Sequence, residues 1–349
     1  MTAHPITSWT HGGADALGAP RVDFSTNSNA CGPCSQALAA VQAADATRYP
    51  DPWYTALRHR LAAFHRVTPE RVLLAGSASE FIFRITAWAW QQGVRRVQLP
   101  AHHYGDNARA AQAWGLQRAA DGAGALVWAC EPSSPLGQAH RPWCLDAAHT
   151  VVLDRAYAPL RLGGAPSLSD AQLDRVWQLF TPNKALGLTG VRAAYVIAPA
   201  GASTREQGHI EAAVANLNLI APSWPLGAHG VALLQAWVRP EVQTWLLACL
   251  PTLRDWKARQ IDMLQDLGWT CLPSEANFFC ARPPQPLDLA ALRAAHGIKL
   301  RDCASFGLPG WVRLGVLGSQ AQEALGNALS AQVFPKSAQY GLQLFENLK

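Results

Sequence analysis

Residues 150–199 read TVVLDRAYAPLRLGGAPSLSDAQLDRVWQLFTPNKALGLTGVRAAYVIAP. Three apolar runs lie in it: TVVLD (150–154), RVWQLF (175–180) and AAYVIAP (193–199). Each is short and nearly continuous, and each ends in polar or turn residues. Strands buried on both faces of a parallel sheet read this way. Upstream, RVLLAG (71–76), RRVQLP (95–100) and ALVWAC (125–130) repeat the pattern, with helical stretches SEFIFRITAWAW and GDNARAAQAWG between them. The alternation predicts an α/β fold whose large domain holds a mostly parallel, doubly wound sheet.

The flanks differ. Residues 1–34 are rich in Gly, Ser, Asn and Pro and read as an irregular N-terminal arm. The large domain is expected over 35–268. It opens with two helical stretches around Arg48-Tyr49-Pro50-Asp51-Pro52 and closes with a helical region from 207, broken near Pro222 and Pro225. Residues 269–349 form the expected smaller α+β domain, packed with the arm. There NFFCARP, KLRDC and WVRLGVL read as short strands, with helices at 286–296 and 319–331. The last residues, FPKSAQYGLQLFENLK, show no clear period.

Composition excludes several functions. The chain has 349 residues, 49% hydrophobic and 15% charged, which is a globular composition. The net charge of +5 is scattered, with no basic run of the kind that grips nucleic acid. No apolar run approaches the ~18 residues of a membrane span, and MTAHPITSWTHGG lacks the layout of a signal peptide. A soluble, cytoplasmic protein with no nucleic-acid or membrane partner is expected. Six of the eight cysteines suit reduced thiols; Cys31-Gly32-Pro33-Cys34 has thioredoxin spacing, but the turn-like DFSTNSNA replaces the strand a redox motif needs. His102-His103 lack Cys, Asp or Glu at ligand spacing, so no metal site is expected.

In open α/β sheets, ligands sit beyond the carboxyl ends of the strands. Those ends carry Ser77-Ala78-Ser79-Glu80, then His102-His103-Tyr104, then Glu131-Pro132-Ser133-Ser134-Pro135-Leu136-Gly137. They also carry Asp154-Arg155-Ala156-Tyr157 and Thr181-Pro182-Asn183-Lys184, followed by Gly187, Gly190 and Arg192. Pyridoxal phosphate uses such a set: a lysine for its aldehyde, a carboxylate for its ring nitrogen, and a donor for its ring oxygen. It also needs an aromatic face, and a helix N-terminus with an arginine for its phosphate. By spacing alone Asp154 serves equally as a turn or cap residue. Of five lysines, only Lys184 lies between sheet strands among glycines.

At these residues the chain resembles the fold type I class I/II aminotransferase superfamily. NKALGLTGVR resembles its lysine motif, LDRAY its Asp-x-Ala-Tyr, and EPSSPLG its Asn-Pro-x-Asn-Pro-x-Gly. Within it, the pattern resembles the threonine-phosphate decarboxylases of cobalamin biosynthesis. His11-Gly12-Gly13, DFSTNSN, LLAGSASEFIF, EANFFCAR, LRDCASF and WVRLGV carry that likeness, while the RYPD stretch is shared with histidinol-phosphate aminotransferases.

The resemblance implies that Lys184 takes the cofactor aldehyde, Asp154 pairs with the ring nitrogen, and Tyr157 and Ser134 serve the ring oxygen. Tyr104 would stack on the ring, and Ala78, Ser79, Thr181 and Arg192 would hold the phosphate. Tyr49 would reach the partner site of a homodimer. Arg313 would bind the substrate carboxylate, and His11, Asn27 and Arg301 would place a small phosphorylated substrate. The implied reaction is decarboxylation of O-phospho-L-threonine to (R)-1-aminopropan-2-yl phosphate. The alternatives are an aminotransferase of the histidinol-phosphate type and a non-catalytic partner protein of this fold.

There are departures. Ser134 stands where the family has Asn before Pro-x-Gly, Asn183 precedes the lysine, and Arg155 replaces an acidic residue. Only fourteen residues separate Gly137 from Val152, too few for the family's helix, and the glycine loop at 76–79 is one residue short. The reading predicts a yellow protein bleached by borohydride, with mass spectrometry finding the pyridoxyl adduct on Lys184. An adduct on Lys257 or Lys299 would contradict it.

Overall fold

The computed structural model describes residues 11–119, 125–143, 145 and 149–333. The first half runs β1 (Val22–Asp23), α1 (Ser35–Gln42), α2 (Thr55–His65), β2 (Val72–Ala75), α3 (Ala78–Gln91), β3 (Arg96–Gln98), α4 (Gly105–Ala113), β4 (Gln117–Arg118), β5 (Leu126–Cys130), β6 (Thr150–Asp154), α5 (Asp170–Leu173), β7 (Trp177–Phe180) and β8 (Ala194–Ile197). Then come α6 (Thr204–Ile220), α7 (Ala228–Trp237), α8 (Pro240–Asp266), β9 (Thr270–Cys271), β10 (Phe278–Arg282), α9 (Leu289–His296), β11 (Ile298–Lys299), β12 (Arg301–Asp302), β13 (Val312–Gly315) and α10 (Ser319–Val333). The final sixteen residues, left without a period in the sequence, lie outside the described residues. Among the described residues no helix is long and apolar enough to cross a membrane.

The large sheet has seven strands in the order β2-β8-β7-β6-β5-β3-β4. All six expected strands are in it. The sheet is parallel except at β8, which runs antiparallel to both β7 and β2. Strand β4 was not anticipated; its two residues are exposed and carry no apolar signal. The continuous apolar runs follow from burial on both faces. Val152 packs with Leu73, Phe81 and Trp128, while its neighbours Val151 and Leu153 pack on the other face with Val127 and Ala129. Side chains alternate across a strand, so both faces must be apolar.

A second sheet, β12-β13-β10-β9, is antiparallel. The KLRDC stretch divides between two sheets rather than forming one strand. Lys299 pairs with the arm through β1–β11, its carbonyl accepting the Phe24 N–H, whereas Arg301 and Asp302 pair with β13. The arm pairs with β11 and, through the Gly315 N–H donating to the Phe24 carbonyl, also meets the end of β13. The largest apolar cluster is shared by the arm (Phe24), α2 (Leu57, Leu61), the large sheet (Tyr195), α8 (Leu253) and the small sheet (Phe279, Leu314).

One polar cluster sits inside this packing. His65 Nε2 lies 2.8 Å from Tyr195 Oη, which also accepts the Trp237 indole N–H at 3.0 Å. Burial, reinforced by the Arg155 charge, pulls His65 down to about 4. A histidine held below its usual 6.5 stays neutral in the fold while the unfolded chain takes up the proton. Its contribution is therefore present above pH 6.5 and is lost as pH falls toward 4. We expect urea unfolding to show a loss of about 2–3 kcal/mol between pH 7 and 4.5 that His65→Gln does not share. An equal loss in both proteins would contradict this.

Candidate active site

The site lies at the carboxyl ends of the parallel strands. Asp154 ends β6, beside Cys130 at the end of β5 and in register with Leu179 of β7. Its Oδ1 accepts the Ala156 N–H at 2.9 Å. Burial raises the Asp154 pKa, while that N–H and the Lys184 charge oppose the rise. Lys184 follows β7 by four residues, and its Nζ stands 5.3 Å from the centre of the Tyr157 ring. Tyr157 Oη accepts from Asn27 Nδ2 at 3.3 Å, and its ring packs edge-on to Phe278.

The lysine loop is seated by the arm. The Asn29 N–H donates to the Lys184 carbonyl and its side-chain amide to that of Ala185; the Cys34 N–H donates to Leu186. Gly32 and Gly187 meet so closely that a Cβ on Gly32 would come within 3.1 Å of the Gly187 Cα. The CGPC turn therefore acts as a backbone clamp here. Burial pushes the Cys31 thiol up to about 12, opposite to the depressed pKa of a redox thiol.

A cup for an anion opens at α3. Ser77 caps the helix by accepting the Glu80 N–H, so the first-turn residues Ala78 and Ser79 are free to turn backbone donors and the dipole to a phosphate. Ser79 Oγ lies 3.3 Å from Tyr104 Oη, and burial pushes the Tyr104 pKa up to about 12. The His11 ring lies 6.4 Å from that of Tyr104. Thr181 is buried, and its hydroxyl has no partner among the described residues; nor does Asn27 Oδ1.

On the other side, Arg301 and Arg313 are 5% and 7% exposed and face each other across β12–β13. Arg313 donates to Ser134 Oγ at 3.3 Å and to the Ser25 carbonyl at 3.1 Å. Arg301 donates to the Asp302 carbonyl and Ser305 Oγ, both at 2.8 Å. Burial, with the neighbouring Arg313 charge, lowers the Arg301 pKa. Neither arginine has a carboxylate partner among the described residues.

Two expected site residues are not gathered in. Arg192 is exposed and makes no ion pair among the described residues. Tyr49 is 79% exposed, stacked on Trp224 at 4.5 Å on the outer surface. The departures have local partners. Arg155 donates to Gln178 and lies over the Phe180 ring, and Asn183 donates to the Thr189 and Val191 carbonyls. No helix spans the described part of residues 138–149. Instead Arg161 bridges Glu131 and Glu275, and the Glu275 N–H donates to the Gly137 carbonyl, holding the Pro motif from outside. Sequence reasoning missed this triad because its members lie far apart in the chain.

The pattern of the aminotransferase class I and II family matches residues 92–331. The chain belongs to that family. Its cofactor is pyridoxal phosphate, and the residues present fit it: an unpartnered buried hydroxyl at Thr181, an open helix N-terminus, and an Asp154 carboxyl within electrostatic reach of Lys184. The chain is 26% identical to a histidinol-phosphate aminotransferase of Symbiobacterium thermophilum, over 89% of this chain and 90% of that protein. It is 27% identical to that of Jannaschia sp., over 87% and 90%. In fold it is similar to the histidinol-phosphate aminotransferase of Sinorhizobium meliloti solved with pyridoxal 5′-phosphate (TM-score 0.71, 19% identity, 87% and 88% covered). It is also similar to the L-threonine-O-3-phosphate decarboxylase of Porphyromonas gingivalis (TM-score 0.67, 17% identity, 88% and 97% covered).

A buried hydroxyl without a partner should cost stability until a ligand satisfies it. Thr181→Val is therefore expected to leave the cofactor-free protein as stable or more so, while weakening cofactor binding about 10-fold or more. Cofactor titration and melting of the apo-protein test this. Unchanged cofactor affinity would contradict it.

Proposed function

We propose that this protein transfers an amino group between a small phosphorylated amine of the histidinol-phosphate type and a dicarboxylic acceptor. The observation that carries this reading is the buried, cross-strand pair Arg301–Arg313 with no acidic partner among the described residues. Two such cations are costly to bury unless anions meet them. A phosphate ester in one half-reaction, and two carboxylates in the other, supply those anions in turn. The names of the relatives support the choice of amine.

When bound, pyridoxal phosphate supplies an aldehyde for the substrate amine and a protonated ring that accepts electron density. The chain's residues do the rest. Asp154 would pair with that ring nitrogen, and Tyr157, steadied by Asn27, would donate to the ring oxygen together with Ser134. Tyr104 covers the ring face. Ala78, Ser79 and Thr181 would hold the phosphate. Lys184 Nζ takes the proton from the substrate carbon and returns it. Arg313 and Arg301 grip the phosphate ester of the amine in one half-reaction and the two carboxylates of the acceptor in the other, with His11 at the mouth. We further propose a homodimer in which the exposed Tyr49, beside Trp53 and Trp224, reaches the partner's phosphate cup.

A second reading is decarboxylation of O-phospho-L-threonine, a place in cobalamin biosynthesis. It is favoured by the same arginine pair, which matches one carboxylate and one phosphate on a single molecule. Serine at 134 also leaves more room beside Arg313 than the family's asparagine. The two readings part on one assay. Histidinol phosphate with 2-oxoglutarate should yield glutamate, and O-phospho-L-threonine alone should release no CO2. Release of CO2 without a keto acid would move the assignment to the decarboxylase. Arg301→Ala should weaken histidinol phosphate about 10- to 150-fold and barely affect histidinol; equal losses would show that Arg301 does not read the phosphate.

A further inference from the structure

His102 has no role in the account above. It lies in the loop that leaves β3 and delivers Tyr104 to the start of α4. Its Nδ1 is 2.7 Å from the Phe306 carbonyl oxygen, in the short turn Ala304–Phe306 between β12 and β13. A carbonyl only accepts, so Nδ1 carries the proton and His102 donates. The turn it grips is the floor of the arginine pair. Ser305 Oγ accepts from Arg301, and the Phe306 ring lies 4.8 Å from the Arg301 guanidinium and 5.6 Å from that of Arg313. Immediately after it Gly307 adopts φ +79°, and a Cβ there would lie 3.7 Å from His102 Nδ1, so the imidazole is packed against the turn as well as bonded to it.

Other bonds hold Arg313 to Ser134 and to the arm. Among the described residues Arg301 bonds only to its own neighbours, Asp302 and Ser305. Two like charges side by side repel, and the planar guanidinium needs a fixed orientation to meet an anion bidentately. What keeps Arg301 and the Phe306 face in place must therefore come through the turn.

We propose that His102 is a positioning residue for anion recognition: by holding the Phe306 turn to the Tyr104 loop, it fixes the spacing of the Arg301 and Arg313 guanidinium groups for a substrate with two anionic groups. This rests on the doubly anionic reading of the arginine pair. No hydrogen bond or ring contact among the described residues joins His102 to Lys184, Asp154 or Tyr157, so its loss should raise KM and leave kcat nearly unchanged.

The test is calorimetric titration of the holoenzyme with succinate, a dianion with no amine to react. The wild-type protein should bind succinate, and Arg301→Ala and Arg313→Ala should each lose most of that binding. His102→Ala should weaken it about 3- to 10-fold, the scale of one neutral hydrogen bond. His102→Asn, whose amide N–H can occupy about the place of Nδ1–H, should recover it to within about twofold. Borohydride fixation on Lys184 should be unaltered in both His102 variants, which separates positioning from a folding defect. Wild-type affinity in His102→Ala, or failure of His102→Asn to rescue, overturns the proposal while leaving the arginine reading intact. A wild-type holoenzyme that does not bind succinate overturns both.

Discussion

An aspartate and a lysine are held within electrostatic reach of each other inside an apolar sheet, and the rest of the site is arranged around that pair. Burial raises the Asp154 pKa, and the Ala156 N–H and the Lys184 charge oppose that rise. Such a carboxylate is poised to favour a cationic ring nitrogen, since that charge would complete the compensation the buried site lacks. Both positions follow from register. The β5–β6–β7 ladder aligns Cys130, Asp154 and Leu179, so the chain leaves β7 already next to the aspartate.

A loop leaving a strand is not rigid by itself, and the N-terminal arm supplies the rigidity. Its backbone crosses the lysine loop, pairs with β11, and lends a carbonyl to Arg313. The same twelve or so residues therefore fix Lys184 on one side and the substrate arginine on the other. This explains why a stretch with no regular structure is so polar yet so buried: Ser25, Asn27 and Asn29 are all nearly inaccessible. Each uses its side chain on a backbone or site atom, as buried polar groups must.

Much of this was legible in the sequence where chemistry and local pattern coincide. Lys184 stood out because so few lysines compete with it, and the strands because burial on both faces leaves unbroken apolar runs. The direction of β8 was not legible, since AAYVIAP reads the same whether the strand runs up or down. The division of KLRDC between two sheets was hidden because the switch depends on what each residue pairs with, not on its own preferences. Contacts across long separations were also silent: His102 and Phe306 are 204 residues apart, and Glu131, Arg161 and Glu275 meet only in the fold. Arg192, expected at the cofactor phosphate, stands exposed outside the gathered site, and Tyr49, expected at the partner's phosphate, lies exposed on this chain.

The central claim is that the Asp154 carboxylate, set by the β6 register, provides the electrostatic drive of the reaction. Turnover of Asp154→Asn, measured on protein shown by borohydride fixation to carry the cofactor on Lys184, tests it most directly. The account predicts retained cofactor with turnover lower by about 100-fold or more, the scale of losing one preorganised electrostatic partner. Turnover equal to wild type would mean that Asp154 only caps the turn at Ala156, and the account would be wrong at its centre.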